Sequence, residues 1–101
     1  MSLVEVCRVT DVPVGTGISV ELEQQRVAVF NVDGALYAMD GVCLHRGGPV
    51  GGGDLEDTIV TCPWHGWQYD VTNGEHVFDR SIGLRTYEVS VENGVVYVDL
   101  P

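Results

Sequence analysis

The chain has 101 residues, which is enough for one domain with a single modest core. Its 15 acidic and 5 basic residues give a net charge of −10 with histidine neutral. This charge argues against nucleic acid and anionic membranes as partners, because basic surfaces bind both of them. It favours a protein partner with a basic docking patch. We predict a monomer with one domain over residues 1–101.

The N-terminal stretch MSLVEVCRVTDVP lacks the basic start and the long apolar run of a signal peptide, and no segment is apolar for long enough to span a bilayer. These features predict a cytoplasmic protein, with its thiols kept reduced. The three cysteines are Cys7, Cys43 and Cys62. An odd number is a poor disulfide framework, and three cannot form a four-cysteine metal site. A metal centre in this chain therefore needs other ligand types as well.

Short runs typical of β-strands predominate, and the helical period is missing almost everywhere. Asp33 and Gly34 form a two-residue turn that favours a tight hairpin, because both positions tolerate positive φ. The acidic run 54–57 is expected to be a solvated face. Many short strands at close spacing predict an all-β sandwich or barrel-like domain. In chain order, the predicted strands are 3–9, 18–23, 26–32, 35–39, 58–62, 67–71, 86–92 and 95–100.

The clearest hairpin is predicted at the C-terminus. Tyr87, Val89 and Val91 alternate with polar residues, which predicts one buried and one solvated face. Asn93 and Gly94 then turn the chain into the last strand.

Two of the three histidines lie next to cysteines. Cys43 and His45 form a C-x-H pair, and Cys62 and His65 form a C-x₂-H pair. Each pair follows a predicted strand, lies in a stretch rich in glycine and proline, and offers one thiolate and one imidazole. Two adjacent irons bridged by sulfide could take both thiolates on one iron and both imidazoles on the other. That is the His₂Cys₂ arrangement of a Rieske [2Fe–2S] centre.

Two other metal centres fit parts of this set. Cys₂His₂ is a common ligand set for structural zinc, although one residue between Cys43 and His45 is a short bite for one tetrahedral ion. A blue-copper site could use Cys62 and both histidines, with Gln68 as the axial ligand. Cys43 would then have no role. A c-type haem is excluded because the pattern C-x-x-C-H is absent.

The pattern C-x-H, sixteen residues, C-x₂-H, with CPWHGWQYD around the second pair, resembles the Rieske family. More narrowly, the chain is similar to the small soluble ferredoxins that serve bacterial ring-hydroxylating oxygenases. The resemblance covers nearly the whole chain and implies a Rieske fold. That fold has an antiparallel β base and two cluster-binding loops, here at about 41–50 and 61–70. The resemblance implies one [2Fe–2S] cluster held by Cys43, His45, Cys62 and His65.

The same resemblance implies a one-electron carrier and no enzymatic activity. Such a carrier accepts an electron from a flavin-containing ferredoxin reductase and passes it to a terminal Rieske non-haem iron oxygenase acting on an aromatic compound. Once His45 and His65 are assigned, only His76 remains for a mononuclear iron site that needs two histidines and a carboxylate. The alternative is the Rieske-type small subunit of a larger reductase, such as assimilatory nitrite reductase. The acidic balance and the complete ligand set favour the carrier.

Several positions depart from the wider family. Membrane-bound Rieske proteins have two further cysteines that join the two loops, and the matching positions here are Gly48 and Trp64, so no such disulfide is expected. Trp67 stands where those proteins place a serine hydroxyl, while Tyr69 matches an aromatic position, and both are expected to pack beside the cluster. Fewer hydrogen bonds to the sulfurs predict a reduction potential of about −150 mV. The third loop, 81–84, lacks the prolines often found there.

The other reactive or aromatic side chains have simpler interpretations. Cys7 is expected to be a small, partly buried apolar residue, and His76 a solvated loop histidine. Trp64 could lie exposed near His65 and take part in docking, or pack as a core aromatic. Arg46 is expected either to contact a partner carboxylate or to be solvated.

Overall fold

The computed structural model describes residues 2–23, 25–43, 47–64 and 66–101. These residues form ten strands and two short 3₁₀ helices, Val9–Asp11 and Val50–Gly52. Neither helix is long or apolar enough to cross a bilayer. The strands are β1 Ser2–Arg8, β2 Gly17–Glu21, β3 Arg26–Val32, β4 Ala35–Asp40, β5 Asp54–Glu56, β6 Ile59–Thr61, β7 Gln68–Asp70, β8 Thr86–Tyr87, β9 Val89–Glu92 and β10 Val95–Leu100.

The strands form three antiparallel sheets, with the orders β1-β10-β9, β2-β3-β4-β8 and β5-β6-β7. In the first sheet Ser2 lies opposite Leu100, so the two ends of the described chain pair with each other. The predicted all-β class is therefore confirmed. The third sheet is small, and the two predicted metal-binding loops adjoin it.

The predicted hairpin turns are confirmed. Asp33 and Asn93 have φ values of 52° and 53°, and each is followed by a glycine with positive φ. This backbone matches the two-residue turn that suits the twist of paired strands. The strands predicted at 26–32 and 95–100 coincide with β3 and β10.

The segment predicted as one strand, 86–92, is two strands in different sheets. β8 pairs with β4, whereas β9 pairs with β10. The prediction that Val91 is buried is wrong, because β9 is an edge strand of its sheet and Val91 is 51% exposed. The acidic run 54–57 forms β5 over its first three residues, and its three acidic side chains are exposed as predicted, whereas Leu55 packs against the core.

Two hydrophobic clusters fill the spaces between the sheets, and β3 contributes to both. Val27 and Val29 belong to the cluster between the first and second sheets. Ala28 and Phe30 belong to the cluster between the second and third sheets. This alternation follows from the period of two in a strand, and β3 is apolar along most of its length because both of its faces are buried.

Asn31, the polar residue near the end of β3, is buried and joins three segments. Its Nδ2 donates to the Val12 carbonyl at 2.8 Å, and its Oδ1 accepts from the Gly34 N–H at 2.8 Å. Its main-chain N–H donates to Thr16 at 3.0 Å, and its carbonyl accepts from Gly15 at 2.8 Å. Asn31 therefore ties the loop before β2 and the turn after β3 to the middle of the fold.

We expect Asn31→Ala to lower the free energy of unfolding by about 2 kcal/mol, because it leaves a buried carbonyl and a backbone N–H without their partners. Asn73→Ala is the matched control, since the Asn73 side chain bonds to Glu75 at an exposed site. Urea denaturation of both variants measures the difference. Equal losses in the two variants would contradict the role given to Asn31.

Candidate metal centre

Both cysteines of the predicted ligand set are buried at the ends of strand-to-loop connections. Cys43 follows β4 by three residues and is 2% exposed, and Cys62 follows β6 directly and is 1% exposed. The other two predicted ligands, His45 and His65, lie outside the described residues. Within the described ranges, no group of three or more histidine, cysteine or acidic side chains is arranged to hold a metal ion. Of the four predicted ligands, the structure brings together the two cysteines, Cys43 and Cys62.

The two thiols are neighbours in space. Burial raises the pKa of the Cys62 thiol, and a hydrogen bond and a Coulomb interaction with Cys43 raise it further, against a lowering contribution from the backbone at Trp64. A raised pKa favours the protonated Cys62 thiol until a cation replaces its proton. A pair of soft sulfur donors side by side in an apolar setting fits two ligands of one iron.

Each of the two cysteines makes the same backbone hydrogen bond to a residue further along the chain. The Cys43 N–H donates to the Gly48 carbonyl at 2.9 Å, and the Cys62 N–H donates to the Trp67 carbonyl at 2.7 Å, five residues further on in each case. The residue before each acceptor is a glycine with positive φ, Gly47 at 74° and Gly66 at 76°. Each loop is thus closed on its own cysteine, and the positive φ explains why glycine stands at both positions.

Tyr69 on β7 supplies a polar contact to the site. It is fully buried, and its hydroxyl oxygen lies 3.3 Å from Cys43 Sγ. A thiolate bound to metal can only accept a hydrogen bond, so the hydroxyl would donate. Trp67 is half-buried against the same hydrophobic cluster, which includes both Cys43 and Cys62. The expectation that these two aromatic residues pack beside the predicted cysteine ligands is confirmed.

Gly48 and Trp64, matched above to the loop-joining cysteines of membrane-bound proteins, are in contact. A Cβ atom at Gly48 would lie 2.9 Å from Cys62 Sγ and 2.9 Å from both Cβ and Cγ of Trp64. The three cysteines of the chain lie elsewhere and are free. The two loops are joined by the packing of the Trp64 side chain against the backbone of Gly48. Trp64 is nevertheless 51% exposed, so its side chain is not a core aromatic, and its part in docking stays a prediction.

The prediction that His76 is solvated is wrong. It is 7% exposed, and its ring meets Trp67 and Tyr69 edge to face, with centroid distances of 4.6 and 5.5 Å. His76 pairs with Tyr69 across a backbone bridge after the Asn73 turn. The turn at Asn73 and Gly74 could have predicted the burial of His76. A hairpin that turns there returns along β7, and alternate residues of the returning segment face the core.

The third loop is held against the site by its backbone. Leu84 is buried in the cluster that contains Cys43 and Cys62, and its N–H donates to Gly74 at 2.7 Å. The Ile82 carbonyl accepts from the His76 N–H at 3.0 Å. Backbone hydrogen bonds therefore fix the position of a loop that lacks the expected prolines.

Cys7 lies away from this site, in the cluster between the first and second sheets. It is half-buried on β1, as predicted. Burial and then the Asp11 carboxylate raise the pKa of its thiol. Its surroundings give it a packing role, separate from the pair formed by Cys43 and Cys62.

Comparison with known proteins agrees with this arrangement. Residues 2–88 match the family of the Rieske [2Fe-2S] domain. The 3-phenylpropionate/cinnamic acid dioxygenase ferredoxin subunit of Escherichia coli K12 is 34% identical, over 100% of this chain and 96% of that protein. The ferredoxin of Sphingomonas yanoikuyae B1 is 33% identical with a TM-score of 0.89, covering 99% of this chain and 100% of that one.

Two further structures concern partners. A chain from the complex of reduced oxygenase and oxidised ferredoxin in carbazole 1,9a-dioxygenase is 30% identical with a TM-score of 0.85, covering 95% of this chain and 91% of that one. A protein described as an NADH-dependent nitrite reductase small subunit from Mycobacterium tuberculosis has a TM-score of 0.84 at 22% identity, covering 96% of this chain and 93% of that one. The second likeness shows a shared fold alone.

We expect Gly48→Ala to reduce the cluster content of the purified protein, because the added methyl group collides with Cys62 Sγ and with Trp64. Gly52→Ala is the matched control, since a Cβ there has no atom within 4 Å among the described residues. Iron and acid-labile sulfide per chain, measured together with the melting temperature, give the comparison. Full cluster content in Gly48→Ala would show that the close approach is not required.

Residues 2–88, which match the family, contain both buried thiols and both cysteine loops. The fold around the two thiols is also the fold of the Sphingomonas ferredoxin and of the matched chain from the carbazole dioxygenase complex. This chain belongs to the Rieske [2Fe-2S] domain family, whose cofactor is a [2Fe–2S] cluster.

Proposed function

We propose that this protein is a one-electron carrier and not itself an enzyme. It takes electrons from a flavin-containing ferredoxin reductase and delivers them to the terminal Rieske non-haem iron oxygenase of an aromatic-ring-hydroxylating dioxygenase. The observation that carries the proposal is the pair of buried, neighbouring thiols in a chain similar over its whole length to a dioxygenase ferredoxin subunit. We further propose a monomer that works in the cytoplasm, with one domain over residues 1–101.

The proposed ligands are Cys43 and Cys62 on one iron and His45 and His65 on the other. The two cysteines have the required burial and proximity. The two histidines are assigned from their spacing in the sequence and their place in the family motif. The cluster-binding loops are then about 41–50 and 61–70. The same four donor types could hold structural zinc, and the match to the Rieske [2Fe-2S] domain family favours the cluster.

When bound, the cluster supplies a centre that gains and loses a single electron. The protein's contribution is to control the surroundings of the sulfur atoms. With the cluster bound, the Tyr69 hydroxyl would donate to Cys43 Sγ, 3.3 Å away, and would stabilise the more negative, reduced state. Trp67 has no hydroxyl with which to add a second such bond, which supports a potential near the low end of the Rieske range. Burial of both cysteines keeps water away from the sulfurs.

His76 supports a carrier over an oxygenase. It is the histidine that remains after His45 and His65 are assigned. Its Nδ1 accepts hydrogen bonds from the backbone N–H groups of Phe78 and Asp79, at 3.1 and 3.2 Å. Nδ1 is therefore occupied, and a mononuclear iron site would still need a second histidine. The chemistry on the aromatic substrate belongs to the partner.

The small subunit of a larger reductase is the alternative function. The likeness to the mycobacterial protein supports it at the level of the fold. The ferredoxin relatives are more similar in sequence, at 34% and 33% identity against 22%, which favours the carrier. A stable stoichiometric complex with a reductase would favour the alternative, whereas transient encounters fit the carrier.

We expect His45→Ala and His65→Ala each to abolish the Rieske spectrum, because each removes an iron ligand. Electron paramagnetic resonance of the reduced protein measures this, since histidine ligation lowers the average g value relative to an all-cysteine cluster. Cys7→Ser is the control and should keep the spectrum unchanged, as Cys7 packs in the other hydrophobic cluster. A normal spectrum in either histidine variant would remove that residue from the ligand set.

Trp64 is the proposed docking residue for the oxygenase. It lies between Cys62 and the proposed ligand His65, and about half of it is exposed. Aromatic side chains of this kind often dominate protein interfaces. The net charge of −10 complements a basic surface on the partner and favours fast encounters at low salt.

We expect Trp64→Ala to slow electron delivery to the oxygenase about tenfold at low carrier concentration, equivalent to about 1.4 kcal/mol of lost binding. Val91→Ala is the matched control, because Val91 is equally exposed on the edge strand β9. Cluster content and reduction potential are measured in both, since Trp64 also packs on Gly48. Equal delivery rates in the two variants would exclude Trp64 from the docking surface.

A further inference from the structure

His76 contacts both aromatic residues that connect to the cysteine ligands. On one side, its ring lies edge to face with Tyr69, at a centroid distance of 5.5 Å and an interplanar angle of 88°. On the other side, it meets Trp67 at 4.6 Å and 81°. Tyr69 reaches Cys43 through its hydroxyl, and the Trp67 carbonyl accepts from the Cys62 N–H. One imidazole thus lies behind both halves of the proposed sulfur site.

The imidazole is held firmly in this position. Its Nδ1 accepts from two backbone N–H groups, those of Phe78 and Asp79, so rotation of the ring would break two hydrogen bonds. Its own backbone N–H donates to Ile82, and the next residue, Val77, donates to Gln68 on β7. These bonds tie the ring to the same hairpin that carries Tyr69.

Stability alone does not explain a histidine at this position. Because Nδ1 accepts two N–H groups, the proton of the neutral ring lies on Nε2. Nε2 is buried and has no hydrogen-bond partner in the described part of the chain. An unsatisfied buried N–H is unfavourable. Asparagine could accept from the same two N–H groups, as it does in Asx turns, with a shorter side chain. What the imidazole adds is a rigid ring against Tyr69 and Trp67.

We propose that His76 is a positioning residue for the cluster: its ring holds the Tyr69 hydroxyl against Cys43 Sγ and so helps to set the reduction potential. The inference rests on the proposed function, because it takes Cys43 as a ligand of the cluster. A flip of the Tyr69 ring leaves its hydroxyl in place, but a sideways shift of the ring moves the hydroxyl directly. The edge-to-face contact opposes that shift. Loss of the ring therefore weakens the donated hydrogen bond and makes the cluster harder to reduce.

Two substitutions separate the two roles of the His76 side chain, as a hydrogen-bond acceptor and as a ring that packs against Tyr69 and Trp67. His76→Asn keeps an acceptor for the backbone N–H groups of Phe78 and Asp79 and removes the ring. His76→Phe keeps a ring between Tyr69 and Trp67 and removes the acceptor. A residue with only a structural role would affect stability in both variants and the potential in neither. A positioning residue affects the potential according to whether the ring is present.

The experiment measures the reduction potential, the reduced-state g values and the melting temperature of the cluster-loaded protein. It compares the unaltered chain with His76→Asn, His76→Phe, Tyr69→Phe and the double variant Tyr69→Phe/His76→Asn. We expect Tyr69→Phe to lower the potential, and His76→Asn to lower it by a smaller amount. In the Tyr69→Phe background, His76→Asn should cause no further shift, because its effect acts through the hydroxyl. His76→Phe should restore most of the potential despite a lower melting temperature.

Three results would overturn the inference. One is an unchanged potential in His76→Asn while Tyr69→Phe lowers it. Another is a shift in His76→Asn that adds fully to that of Tyr69→Phe. The third is an unchanged potential in Tyr69→Phe, which would remove the hydroxyl as the point of action. In all three cases a Rieske spectrum in the unaltered protein would leave the carrier function standing, and its absence would overturn that function instead. If His76→Asn does not accumulate, His76→Gln is measured in its place.

Discussion

The burial of β3 on both faces is the constraint on which the rest of the structure depends. Val27 and Val29 pack towards the sheet formed by β1, β9 and β10, and Ala28 and Phe30 pack towards the small sheet beside the cysteines. Because a strand alternates its side chains strictly, a shift of one residue in the register of β3 would exchange the two sets. It would place Phe30 in the valine-lined layer and remove it from the layer that contains Cys43 and Cys62. The position of the site is thus set by a strand that carries none of its ligands.

Close approaches of glycine backbone transmit this constraint to the loops. A Cβ atom at Gly17 would collide with the Phe30 ring, and one at Gly51 would collide with the Ile18 carbonyl. One at Gly53 would collide with the carbonyl of Thr61, the residue directly before Cys62. Because glycine has no Cβ, the short helix Val50–Gly52 can pack closely against β2, and Gly53 can pack closely against the residue before Cys62. The glycine-rich run 47–53 therefore packs one cysteine loop against the strand that leads to the other.

Local features of the sequence were enough to predict β3, β10 and the two-residue turns, because alternation and turn chemistry act over a few residues. The cysteine pair was predicted because its spacing belongs to a specific motif. The burial of His76 was missed because it depends on where the hairpin after β7 folds back, which is a tertiary property. The division of 86–92 between two sheets was missed for a related reason. Tyr87 and Val91 have the same local alternation, and only their pairing partners differ.

The contact of Trp64 with Gly48 affects how the closure of the two loops depends on redox conditions. A covalent bridge between the two loops would make their closure depend on the thiol–disulfide balance of the compartment. An indole packed on glycine closes them by burial, which is indifferent to reductants and reversible without breaking a bond. Reducing conditions, which would keep Cys43 and Cys62 available as ligands, would leave this closure intact.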